Sequence, residues 1–189
     1  MKVKMPIEWL VLEERKGKSL VISKDVIDWE MYGSPNSISW NETYLYNYLK
    51  DCYEHFFTYE EKDAIVKGEL GPLFILSQKE IVKYFPYEED RRAVMYFVDR
   101  NEDGEINISI EHHSYWLRND IVHASKGDID CDPRDIAVVT DLGYLSVEYS
   151  DADEIGVRIA MWVDRWKAKH ITAKKGYNPW HHTWDVCEY

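Results

Sequence analysis

Two apolar runs in this chain each carry an arginine: Tyr115-Trp116-Leu117-Arg118 and Val157-Arg158-Ile159-Ala160-Met161-Trp162-Val163. Short runs rich in β-branched and aromatic residues read as strands. A guanidinium set in such a strand ends up buried or half-buried, and an unpaired charge in the interior is very costly. The fold must therefore bring a carboxylate or several carbonyl oxygens to Arg118 and to Arg158. Trp116 is expected in the core beside them. In the structural role, the two guanidinium forks tie strands and loops together. Recognition of an anionic ligand is the alternative use of the same chemistry.

The rest of the chain alternates between strand and helix signals. Residues 7–12 and 19–23 are apolar runs joined by a polar link containing Gly17, which predicts a β-hairpin. The cluster Gly33-Ser34-Pro35-Asn36 marks a loop. Three capping boxes follow, each a Ser or Thr with Glu three residues later: Ser39 with Glu42, Thr58 with Glu61 and Ser77 with Glu80. They predict helices over about 41–54, 59–67 and 78–84. On the first, Leu45, Tyr48, Leu49, Cys52 and Phe56 share one face. Leu73-Phe74-Ile75-Leu76 is too short for a helix and is expected to be a buried strand. The second half reads as β-rich, with Ile106, Ile108 and Ile110 alternating along one strand. A long polar loop spans Ser125–Asp135.

Charge narrows the possible partners. The net charge of −12 argues against direct DNA or RNA binding, which rests on a basic footprint. Acidic residues dominate between Asp120 and Glu154, against only Lys126 and Arg134. The sign reverses in the tail, with Arg165, Lys167, Lys169, Lys174 and Lys175. Such a surface either stays solvated for solubility or docks on a basic partner. No run reaches the roughly 18–20 apolar residues needed to span a bilayer, and no signal-peptide pattern opens the chain. Cys52, Cys131 and Cys187 are odd in number and widely spaced, as free thiols in a reducing compartment would be. A cytoplasmic protein is expected.

Five segments, in order, resemble the pattern of a bacterial and phage domain family with no assigned activity. They are Ile7-Glu8-Trp9-Leu10-Val11-Leu12, Ser39-Trp40 with Leu49, Phe74-Ile75-Leu76-Ser77-Gln78-Lys79-Glu80, Trp116-Leu117-Arg118 and Gly156-Val157-Arg158-Ile159-Ala160. The resemblance covers about residues 5–163. It implies the C-type-lectin-like fold shared by phage receptor-binding proteins and formylglycine-generating enzymes: α+β, with a twisted, mostly antiparallel sheet flanked by two or three helices. Residues 1–163 would form that single domain and 164–189 a C-terminal extension. The chain departs from the pattern at Ile159, where the family has Pro, and in its tail.

Sites for metals and catalysis are weakly marked. Asp99-Arg100-Asn101-Glu102-Asp103-Gly104 opens like a calcium loop, but the twelfth position is Ile110 instead of a bidentate Glu. Asp103-Gly104 is equally a hairpin turn. His112-His113, His181-His182, Cys131, Cys187 and Asp130 lack a zinc-ligand spacing. No G-x-S-x-G elbow is present, and the close cysteine pair of formylglycine-generating enzymes is missing. No metal, cofactor or catalytic residue is expected. The expected function is a non-catalytic, phage-type inhibitor, similar in kind to anti-CRISPR proteins. It would bind a basic nucleic-acid-handling enzyme, a Cas9-type nuclease or its guide RNA complex, without contacting DNA. Asp128, Asp130, Asp132, Asp151, Asp153 and Glu154 are the expected contact residues. The alternative is a lectin-like module for a ligand or receptor.

Overall fold

The chain opens with strand β1 (Lys4–Pro6) and a hairpin of β2 (Trp9–Arg15) and β3 (Lys18–Ser23). Its two turn residues, Lys16 and Gly17, both have positive φ, 48° and 77°. That geometry matches the twist of paired strands. The computed structural model describes residues 4–33, 39–100, 105–118, 135–168 and 183–185. After β4 (Asp28–Trp29) come a 3-10 turn (Trp40–Glu42), α1 (Tyr44–Phe56), α2 (Tyr59–Ala64), β5 (Ile65–Val66), α3 (Gln78–Tyr84) and α4 (Glu88–Arg91). The second half is β-rich: β6 (Val94–Arg100), β7 (Ile106–His112), β8 (Tyr115–Trp116), β9 (Asp135–Val139), β10 (Leu145–Tyr149), β11 (Gly156–Val157), β12 (Ala160–Asp164) and β13 (Thr183–Asp185).

The architecture is α+β with mostly antiparallel sheets. One sheet runs in the order β10-β9-β8-β11-β4 and a second in the order β2-β3-β12-β5. β6 and β7 form a separate ribbon, and β1 pairs with β13. Within the first sheet β11 runs parallel to β8 and antiparallel to β4. Among the described residues no helix is long and apolar enough to cross a membrane.

Two apolar clusters fill the interior. The first gathers Leu45, Leu49, Cys52 and Tyr53 of α1 against Ile75, Trp116, Val138, Val157 and Ile159. Leu45 and Leu49 are at 0% exposure, and burying each contributes roughly 1.5–3 kcal/mol. The second packs Ile81 and Phe85 against Leu20, Ile22, Phe74, Tyr115 and Ala160. Ile159 is fully buried in the first cluster.

Several expectations need correction. The capping box at Ser39 does not form: the Glu42 N–H donates to the Ser39 carbonyl (3.0 Å), and the Ser39 hydroxyl donates to Asn41 Oδ1 (2.6 Å). The chain makes a 3-10 turn there, and Thr43 caps α1 by accepting from the Tyr46 N–H at 3.0 Å. The boxes at Thr58 and Ser77 are both complete. Phe56 is exposed, and Phe57, in extended backbone just past α1, takes the buried place. α2 stops at Ala64 because Ile65 and Val66 pair with β12. Leu73–Leu76 is buried but joins its neighbours by isolated bridges, Phe74 to Ala160 and Ser77 to Arg118. Ile108 and Ile110 face solvent on the β6–β7 ribbon.

Candidate functional site

Neither arginine lies within a strand: Arg158 falls in the link between β11 and β12, and Arg118 follows β8 with an isolated bridge to Ser77, and their partners differ. Arg158 is 2% exposed. Its Nε and Nη2 donate to the Ser23 carbonyl (3.1 and 2.9 Å), and Nη1 donates to the Tyr115 hydroxyl (3.1 Å). That hydroxyl in turn donates to the Arg91 carbonyl at 2.7 Å, and the guanidinium lies over the Tyr115 and Phe85 rings. Carbonyl, hydroxyl and ring faces hold this cation. Burial still pushes the Tyr115 phenol up, although Arg158 opposes the shift. Arg118 is also buried; it donates to the Ile75 carbonyl (3.0 Å) and pairs with Glu80 (3.1 Å), whose carboxylate also accepts from Ser77 in its capping box. Trp116 is 1% exposed and donates from its indole to the Glu30 carbonyl at 2.7 Å.

Gly156 shows why the glycine precedes Val157-Arg158. A Cβ there would lie 2.4 Å from Val26 Cγ1 and 2.9 Å from the Ser114 carbonyl oxygen. The Gly156 N–H donates to that same carbonyl (2.9 Å), so the close approach is part of the pairing. β11 is thereby wedged between β4 and β8.

This wedge builds a groove beside it. Residues 27–33 and 150–157 run antiparallel: Ile27 N donates to Val157 O, Glu30 N to Ile155 O and Gly33 N to Ser150 O. Asp153 and Glu154, on the turn before β11, thus face the end of β4. The β6–β7 ribbon is held alongside, since Val26 N donates to Val94 O, while His113 N to Ala93 O extends the ribbon's own pairing. The result is a cavity of about 680 Å³ lined by Trp29, Glu30, Met31, Phe97, His113, Asp153 and Glu154.

Its chemistry has two parts. Trp29, Phe97 and His113 form a triad of rings, with centroid separations of 5.9, 6.4 and 6.1 Å and mutual tilts of 43°, 39° and 41°. His113 Nδ1 donates to the Ser114 carbonyl at 2.9 Å, which fixes the ring's orientation. Three carboxylates, from Glu30, Asp153 and Glu154, share the groove, and among the described residues its lining contains no Lys or Arg. Glu30 Oε1 accepts from the Met31 N–H (3.0 Å). Trp116 anchors the Glu30 backbone from the core side, so the groove's floor is continuous with the buried frame. Negative ring faces and carboxylates together are complementary to a cation.

Of the expected contact residues, Asp151, Asp153 and Glu154 are all exposed on the β10–β11 connection. Asp153 and Glu154 line the groove and Asp151 does not. Asp128, Asp130 and Asp132 lie outside the described residues, as do residues 101–104 of the calcium-like loop. His113 belongs to the ring triad, whereas Cys131, Cys187, His181 and His182 lie outside the described residues. Residue order alone does not join Trp29, Glu30, Met31 and Phe97 at this site. Trp29-Glu30-Met31 come from one segment and Phe97 from another, and no local pattern links the two.

A second polar cluster sits inside the fold. The Tyr48 hydroxyl donates to Asp28 Oδ2 at 2.7 Å, next to the buried Cys52 thiol. Burial pushes that thiol up to about 12, against a hydrogen bond with Tyr48 that lowers it. Burial also drives the Tyr48 phenol far above its ordinary value. Such a thiol stays protonated and unreactive, so the cluster serves packing. No protein-family model matches this chain, and neither does any curated protein or solved structure.

Proposed function

We propose that this chain is a non-catalytic binding protein that docks on a basic partner through the acidic face carrying Asp151, Asp153 and Glu154. The expected partner remains a nucleic-acid-handling enzyme, most specifically a Cas9-type nuclease engaged in the manner of an anti-CRISPR protein. One observation carries the proposal: two of the acidic residues expected to make contact converge with Glu30 on a concave surface whose lining, among the described residues, has no Lys or Arg. The net charge of −12 supports it, since long-range attraction speeds encounter with a basic surface. A C-type-lectin-like fold is part of the same proposal. Its support is the mostly antiparallel α+β architecture and the five sequence segments.

Size-exclusion chromatography with a Cas9-type nuclease, with and without guide RNA, tests the partner. Co-elution at low salt and slowed DNA cleavage are expected. Charge reversal at Asp151, Asp153 and Glu154, together with Asp128, Asp130 and Asp132, should weaken the complex. Separate elution with unimpaired cleavage would overturn the nuclease assignment, and an undiminished complex after charge reversal would overturn the contact face. The lectin-like alternative draws on the ring triad, because sugars also stack on aromatic faces. The three carboxylates weigh toward a cationic ligand, and a glycan array is expected to show no hits.

A further inference from the structure

We infer that the groove between Trp29, Phe97, His113 and the Asp153-Glu154 turn receives an arginine side chain of the partner. This rests on the proposed docking face and names the chemical group that the face recognises. The rings and the carboxylates are independent features that point to the same ligand. Trp29 and Phe97, with His113 beside them, line the groove with ring centroids 5.9–6.4 Å apart, and Trp and Phe faces attract a cation. Three carboxylates share the same groove, and among the described residues no Lys or Arg lines it.

The geometry favours guanidinium over ammonium. A guanidinium is planar and weakly hydrated, so it stacks on a ring while its edge donors fork onto carboxylates. An ammonium is a strongly hydrated point charge and gains less from a ring wall. Asp153 and Glu154 are exposed and line the groove with the rings, so their carboxylates can accept from the fork. The same chain already holds one guanidinium over two rings, at Arg158 with Tyr115 and Phe85. The cavity of about 680 Å³ exceeds one side chain, which suits an arginine presented with its flanking peptide.

Backbone-amide NMR titration of the full chain with N-acetyl-arginine amide, N-acetyl-lysine amide and the neutral isostere N-acetyl-citrulline amide tests the inference. Arginine amide should shift the resonances of Trp29, Glu30, Phe97, His113 and Glu154. Citrulline amide should bind about tenfold more weakly or not at all, and lysine amide at least about threefold more weakly. The exposed double variant Asp153→Asn, Glu154→Gln should weaken arginine binding by about tenfold while its amide spectrum elsewhere stays native. Phe97→Leu should weaken arginine more than lysine, which a purely electrostatic surface would not do. Equal shifts by arginine and citrulline, or none in the groove with arginine, would overturn the inference. So would lysine matching arginine. Arginine binding is measured without any nuclease, so the site can stand where the nuclease assignment falls. A nuclease complex that survives loss of arginine binding would instead retain the partner and remove the groove.

Discussion

Glu154 and Arg158 lie on either side of β11, yet their charges live in opposite environments. Arg158 is almost wholly buried and its donors are taken up by Ser23 and Tyr115. Glu154 is exposed at the lip of a groove whose lining, among the described residues, contains no Lys or Arg. A buried charge persists only where the fold supplies its partners, so Arg158 belongs to the frame. An exposed carboxylate beside aromatic rings costs the fold little and remains available to a ligand. Substitutions on the two sides of β11 should therefore separate stability from binding.

The largest effect is expected on the buried side. Arg158→Ala removes the donors to Ser23 O and the Tyr115 hydroxyl and opens a void beside Phe85, at a cost of roughly 3–5 kcal/mol in urea denaturation. A loss below about 1 kcal/mol would mean that the guanidinium is not part of the frame. Gly156→Ala should cost about 1–3 kcal/mol through its clash with Val26 and the Ser114 carbonyl. Adding Val26→Ala should recover only the part due to the side-chain clash, and a double-mutant cycle measures it.

Alkaline pH probes the frame from another direction. The folded Cys52 thiol is raised above its unfolded value, so the stability it contributes is fully present below about pH 9. It should be lost progressively as pH rises toward about 12. Comparing the pH dependence of unfolding in the native chain and in Cys52→Ala should isolate a difference on the order of 1–3 kcal/mol across that window. Parallel curves would place the thiol in a wetter setting.

Smaller effects sharpen the remaining contrasts. Thr43→Ala should cost about 1 kcal/mol, while Ser39→Ala should stay within a few tenths, because only the Thr43 oxygen accepts a cap hydrogen bond. Equal losses would restore Ser39 as the cap. On the exposed side, Asp153→Asn with Glu154→Gln should change stability by no more than about 0.5 kcal/mol. A larger loss by thermal melting would make the turn part of the frame and remove the contrast across β11.

Local chemistry made much of the fold legible. The hairpin at Lys16-Gly17, the boxes at Thr58 and Ser77, and the buried Leu45, Leu49 and Cys52 all follow from spacing and short-range hydrogen bonding. Ser39 misled because its spacing to Glu42 is right, but the Glu42 N–H goes to the Ser39 carbonyl and Thr43, nearer the helix, caps it. Ile108 and Ile110 show the limit of periodicity: alternation defines a face without saying what covers it.

The sequence by itself determined that Arg118 and Arg158 require partners, because a guanidinium in an apolar run cannot stay unsatisfied. It also set the sign of the surface and the residue types that cap the helices. Only the tertiary structure decided who those partners are: Glu80 and Ile75 for Arg118, Ser23 and Tyr115 for Arg158. It likewise decided that residues 29–31, 97, 113 and 153–154 share one groove. Hydrogen bonds of capping and turn type act over a few residues and leave a local signature. Strand pairing and side-chain packing act across any separation along the chain, so the composition of the groove exists only once β4, β11 and the β6–β7 ribbon have come together.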